Sequence, residues 1–267
     1  MAKVNVPIAK TFGWLGANGT EAAVPGDRRT EKVRLQAGET RTVVLETGKE
    51  SWDWEAVLEE GALLRLIQLT GDGGENVNTV RVTCGEQARF EWYRVILGGG
   101  PVYDQCTAEL AGDGSSFTAE IGYRLSGENL LDMNVEAIHL GRRTKSAISA
   151  SGVMSGESRK ILRGTIDLRK GCKGSEGNEM EEVLLLDPRV RNRSVPVILC
   201  AEEDVVGNHG ASIGRLDEGI SYYLQTRGMT PEEVERMMAR ARLEAVIRKI
   251  PEEAVRNRLL ETEEKDA

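Results

Sequence analysis

The stretch "VRLQAGETRTVVLETGKESWDWEAVLEEG", residues 33–61, opens and closes on the same short motif. In "VRLQAG" and "AVLEEG" an apolar residue stands five and three positions before a glycine: Val33 and Leu35 before Gly38, Ala56 and Leu58 before Gly61. The motif returns in "VRVTCG" (80–85) and "IDLRKG" (166–171), and the first three glycines are 23 and 24 residues apart. "AELAGDG" (108–114) reads as a further member displaced by one residue. Period-2 alternation of this kind marks strands with one buried face. A strand-and-turn unit recurring every two dozen residues is what stacked β coils produce, each coil covering the edge of the last. The pattern favours a parallel β-helix. A sandwich of hairpins competes with it, because glycine-punctuated strands build sandwiches too. Hairpin signals are sparse, however, and only "GANGTE" (16–21) carries an Asn-Gly turn between alternating residues.

After residue 220 the pattern changes from period 2 to helical spacing. Thr230 is placed as an N-cap, Pro231 at the first helical position and Glu233 three after the cap, a capping box. Val234, Met237, Met238, Ala241 and Ala245 follow at helical spacing and are expected to form one apolar face. Pro251 restarts a shorter helix, and the charged tail "ETEEKDA" is expected to fray. The expected organisation is an N-terminal segment (1–29), a β body (30–220) and a C-terminal helical domain (221–267).

Composition bounds the function. The 267 residues carry 35 Lys and Arg against 43 Asp and Glu, a net charge of -8, with no long basic run. That argues against nucleic acid and against an anionic membrane surface as partners. No stretch approaches the ~18 apolar residues of a membrane span, and "MAKVNVPIAK" lacks the apolar core of a secretion signal, so a soluble, cytoplasmic protein is expected. Cys84, Cys106, Cys172 and Cys200 contain no Cys-x-x-Cys pair and are expected to be free, buried thiols. There is no Gly-x-x-x-x-Gly-Lys-Ser/Thr loop, so no nucleotide site is expected in this chain. At 4% aromatic residues, the stacking platforms of a sugar-active β-helix enzyme are scarce, which argues against an enzyme of that kind.

From about residue 135 to 250, and more generally in the β repeats before that, the chain resembles the SufB/SufD family of iron–sulfur cluster assembly proteins. The resemblance is carried by Leu184 to Leu186, Pro196, the acidic pair Glu203 and Asp204, and His209-Gly210-Ala211. It continues through Ile213-Gly214, Tyr222-Tyr223 (read as an aromatic-rich strand) and Arg227-Gly228 opening a helix. Upstream, "HLGRRTKSAISASGVMSGESRKILRGTI" (139–166) matches the family's His, Ser-rich strand and Ser-Arg before a glycine. The resemblance implies a right-handed parallel β-helix followed by a small helical domain. It also implies subunits paired through their β-helices as a homodimer or heterodimer, and an ABC-type ATPase, SufC, docked at the helical end. Because repeat-like sequence already begins near residue 30, the family's long N-terminal helical region is expected to be missing, and the chain resembles the family's short, minimal forms.

The same resemblance ranks the site residues. His209 stands in a glycine-bounded segment read as a tight turn, where SufD-type members place a functional His; imidazole is a good iron ligand. SufB-type members carry a Cys just before the triple-Leu strand and a Glu directly after the motif His. Here those positions are Glu181 and Gly210. A carboxylate can bind iron but cannot carry a persulfide. Cys200, Glu203 and Asp204 complete the ligand candidates for a transient iron–sulfur cluster, while His139 reads as a strand residue satisfied by its neighbours. Arg227, Gly228, Val234, Met237 and Met238 form the expected docking surface for the ATPase. Glu181 in place of the Cys also supports a second reading, a structural subunit that activates the ATPase without holding iron.

Overall fold

A computed structural model describes residues 1–24, 28–47, 50–71 and 74–265, without the side chains of 264 and 265. Strand β1 (Ala2–Val4), helix α1 (Thr11–Trp14) and strand β2 (Thr20–Ala22) come first. Then β3 (Arg28–Leu35) and β4 (Thr40–Glu46) make one coil, and β5 (Ser51–Leu58) and β6 (Leu63–Thr70) the next. The coils continue with β7 (Asn76–Cys84) and β8 (Arg89–Leu97), β9 (Val102–Leu110) and β10 (Ser116–Leu125), and β11 (Leu130–His139) and β12 (Lys145–Met154). They end with β13 (Arg159–Leu168) and β14 (Ser175–Leu185), then β15 (Arg191–Cys200) and β16 (Val205–Gly214). Odd strands β3 to β15 form one seven-stranded sheet and even strands β4 to β16 the other, every pair parallel and in sequence order. This is a parallel β-solenoid, and the hairpin alternative is excluded for these strands. The one antiparallel pair among the described residues, β1 with β2, is separated by α1, so the Asn18-Gly19 step does not close a hairpin.

The repeat that builds the coils is a turn ladder, and its register differs from the motif spacing. Left-handed backbone recurs at Gly38 (φ 69°), Gly61 (66°), Gln87 (52°), Gly114 (67°), Arg143 (52°) and Gly174 (71°). Each of these amides donates to a carbonyl of the next coil: Gly38 to Glu60 at 2.8 Å, Gly61 to Glu86 at 2.8 Å, Gln87 to Asp113 at 2.9 Å. Gly114 to Arg142, Arg143 to Lys173 and Gly174 to Asp204 continue it. Gly85 and Gly171 therefore end lookalike motifs two and three residues short of the stacked position, while Gly114 is in step. The coils also lengthen, since Arg28 pairs with Ser51 but Arg159 with Arg191. A fixed period of two dozen residues thus fits only the first turns.

Parallel in-register pairing keeps like parity on one face. Inward residues such as Leu64, Phe90, Phe117, Val135 and Ile148 make a continuous core, with Phe90 and Phe117 stacked at 5.2 Å. Helices α2 (Glu218–Gln225), α3 (Pro231–Ile247) and α4 (Glu253–Lys265) follow. The Thr230–Glu233 capping box forms as expected. The buried face of α3 is Val234, Ala239, Leu243, Val246 and Ile247, not the expected Met237, Met238, Ala241 and Ala245. The reason is tertiary: α3 lies on the outer face of the even-stranded sheet, where Leu243 and Ile247 meet Ile67, Tyr93 and Val95. At Gly122 the missing Cβ lets Val246 approach to 3.2 Å of where it would be. The tail is helical to Lys265 rather than frayed, while Asp266 and Ala267 lie outside the described residues. No helix among the described residues is long and apolar enough to cross a membrane.

Candidate functional site

The solenoid ends on β15 and β16, and no further described strand pairs with either. His209 sits in the middle of β16, so the segment read as a turn is a strand; its glycines are extended backbone stacked on β14. Gly207 pairs with Gly177, His209 with Glu179 and Ala211 with Glu181. The parity that buries Glu179, Glu181 and Val183 in β14 also points His209 inward, yet it is exposed because no coil covers it.

Beneath this last rung lies a pit of buried polar side chains, distinct from the interior ion pair that Arg94 and Asp104 make further down the solenoid. Lys160, on β13, is buried and ion-paired to Glu181, and also donates to Ser194 Oγ of β15 at 3.2 Å. Its ammonium lies 5.7 Å from the centre of the Tyr123 ring, whose hydroxyl donates to Glu181 Oε1 at 3.4 Å. Burial pushes the Lys160 pKa down, with Glu181 opposing that shift. Burial, with repulsion from Glu181, pushes Glu179 up to about 7. Room for the Glu179 carboxylate is made by Gly164 on β13, where a Cβ would stand 2.1 Å from Oε1. Glu179 Oε2 has no hydrogen-bond partner.

The other expected ligands are dispersed. Cys200 is exposed at the end of β15, not buried as expected, because it terminates a column of Leu110, His139 and Leu168 that has no next coil. Its thiol donates to the Glu202 carbonyl at 3.1 Å. Glu203 and Asp204 lie in the turn before β16, and Asp204 is five strand residues from His209, roughly 16 Å. In that turn Glu202 does the structural work, accepting from the Gly171 amide at 2.8 Å, which holds its carboxyl below the usual range. Glu181 is inward and committed to Lys160. His139 is buried between Thr144 Oγ1 at 2.7 Å and Ser146 Oγ at 2.9 Å, with its pKa lowered to about 4 by burial. Among the described residues no three His, Cys, Asp or Glu side chains converge as a complete metal site.

At the helical end, Tyr222 and Tyr223 are on α2, not on a strand, and both are exposed. Arg227 stacks on Tyr223 at 5.1 Å. Arg227, Gly228, Met229, Arg236 and Met237 line a shallow groove. Two expected docking residues are not available there: Val234 is wholly buried, and Met238 is half-buried beside Val153, Leu184 and Ala239.

Residues 34–242 match the family described as SUF system FeS cluster assembly, SufBD core domain. The chain belongs to the SufBD core family. It is 29% identical to the iron–sulfur cluster assembly protein SufD of Bacillus subtilis over 184 residues, covering 69% of this chain and 42% of that protein. With SufB of the same organism it shares 25% over 214 residues (78% of this chain, 46% of SufB). A SufBD family protein of Mycobacterium leprae is 30% identical over 198 residues (73% of this chain, 23% of that protein). The chain thus spans less than half the length of each of these relatives.

Sequence reasoning missed Glu179 and Lys160. A usable signal was present: in "SEGNEMEEVLL" (175–185), Glu179 and Glu181 share parity with Val183 and Leu185, the core-facing set.

Proposed function

We propose that this protein is a scaffold subunit of a Suf-type iron–sulfur cluster assembly complex in the cytoplasm, working with a SufC-like ABC ATPase. The observation that carries the reading is His209, inward-facing but uncovered on the last strand of the solenoid. An imidazole held there is at the entrance of a polar pit and at an unpaired strand edge, where iron and a second subunit can both reach it. The second subunit is a copy of this chain or a paralogue, joined through β15 and β16. The coils are right-handed, as crossovers between parallel strands almost always are. The groove at Arg227, Gly228 and Met237 is the ATPase contact. The protein holds its cargo without catalysing a reaction of its own.

One observation favours a second reading, a subunit that stimulates the ATPase but holds no iron: Glu181 is locked to Lys160 rather than free to bind a metal. Co-expression with the ATPase and anaerobic reconstitution with iron and sulfide separate the two. The scaffold reading expects a stable complex with sulfide-to-iron charge-transfer absorption that weakens in His209→Ala. Normal ATPase stimulation with no bound iron selects the second reading.

A further inference from the structure

A buried carboxylate oxygen without a partner is costly and calls for an explanation. Glu179 Oε2 is such an atom, in a residue only 6% exposed. The nearby cation gives it no hydrogen bond, since the Lys160 ammonium is bonded to Glu181 and Ser194, and its charge offsets only part of the cost of burial. The space it occupies is nonetheless built for it, because any side chain at residue 164 would collide with this carboxylate. Directly above is His209, one rung of about 4.8 Å along the ladder. The inward neighbours of His209 on β16 are Gly207 and Ala211, neither of which carries a side chain long enough to come between imidazole and carboxylate.

We propose that Glu179 is the oxygen donor that receives ferrous iron together with His209, so that each chain offers one imidazole and one carboxylate from adjacent rungs. This rests on the reading that His209 handles iron. Donor atoms on one ion stand about 3 Å apart, a separation that a Glu and a His on neighbouring rungs reach by side-chain rotation. Imidazole and carboxylate both suit Fe(II), and the cation supplies the charge that the unpartnered oxygen lacks. Two protein donors leave the remaining positions to water and sulfide. Glu181 is excluded from the role by its ion pair.

The test is an anaerobic titration of the full chain with ferrous iron alone, free iron being read with a chromogenic chelator. Glu179→Gln keeps the volume, and thermal melts establish that it is folded. The expected result is a loss of iron affinity of at least about tenfold, the scale on which even supporting groups act at metal sites. The Glu179→Gln/His209→Ala double variant loses no more than the weaker single variant. In Glu179→Cys, Co(II) produces a near-ultraviolet thiolate-to-metal band absent from wild type, a signature that a purely structural residue does not give. Iron binding that is lost in His209→Ala but unchanged in Glu179→Gln overturns the proposal and leaves the His209 reading intact. Wild-type protein that takes up no ferrous iron overturns that reading, and the proposal with it.

Discussion

Glu179 and Glu181 point into one pit that contains one ammonium, and Lys160 is committed to Glu181. The unfavoured carboxylate is therefore stored at a cost set by pH. Because its folded pKa, about 7, is above the usual 4.5, the native state holds the proton more tightly between those values. Native stability falls as pH rises through that window, and the penalty is complete above it. Glu179→Gln is accordingly expected to stabilise the metal-free protein by on the order of 2 kcal/mol at pH 8, with the gain vanishing toward pH 4. Urea melts of both proteins across that range check it; a gain independent of pH would assign the effect to packing instead. A site residue that destabilises its own fold is the usual trade of stability for function. The site was legible only in part. His209 stood out by its resemblance and its glycines, but those glycines hid a strand. Glu179 needed the parity of β14, which becomes informative only when the strand is known to face a core.

At the scale of elements, the turn ladder explains both what the repeat revealed and where it misled. Alternation and recurring glycines sufficed for stacked strands, and the capping box placed the start of α3 at its true residue. The left-handed position is not reserved for glycine, since Gln87 and Arg143 occupy it. A search for glycine therefore settled on Gly85, two residues early. The Met face of α3 failed for a related reason: helical spacing permits several stripes, and only packing on Ile67, Tyr93 and Val95 selects among them. The ladder makes a prediction about backbone energy alone. At Gly61 an added Cβ meets nothing closer than 4.0 Å, so Gly61→Ala tests φ without a clash. It should destabilise by about 1–2 kcal/mol, the ordinary cost of an L-residue in this region. Gln87→Gly should shift stability the other way by a smaller amount, because the strain it relieves is offset by greater freedom of the unfolded chain. Chemical denaturation midpoints decide it, and equal destabilisation by both changes would show that contacts rather than φ control the turn.

At the scale of the molecule, the two open ends of the solenoid are not alike. An exposed strand edge invites pairing, and proteins that must stay apart blunt it with charge. At the first end, β3 is "RRTEKVRL", five charged residues of eight. At the last end, β16 is "VVGNHGASIG" with no Asp, Glu, Lys or Arg, and β15 runs uncharged from Ser194 to Cys200. Pro196 is tolerated there because β15 has a neighbour on one side only. The ten-residue edge left without charge is the one that carries His209, and it is the edge through which the proposed pairing would run. Pairing there would cover the imidazole and the pit beneath it, so the proposed association and the proposed iron holding would share one surface. The purified chain is therefore expected to be a dimer by light scattering. A Val206→Lys/Ile213→Lys double variant, changing two exposed residues of β16, should shift it to monomer without altering far-ultraviolet circular dichroism. Removing charge at the opposite end, with Arg29→Ala, should leave the dimer intact. If the β16 variant remains dimeric, the chains associate elsewhere, and His209 must work from an open end with donors of a single chain.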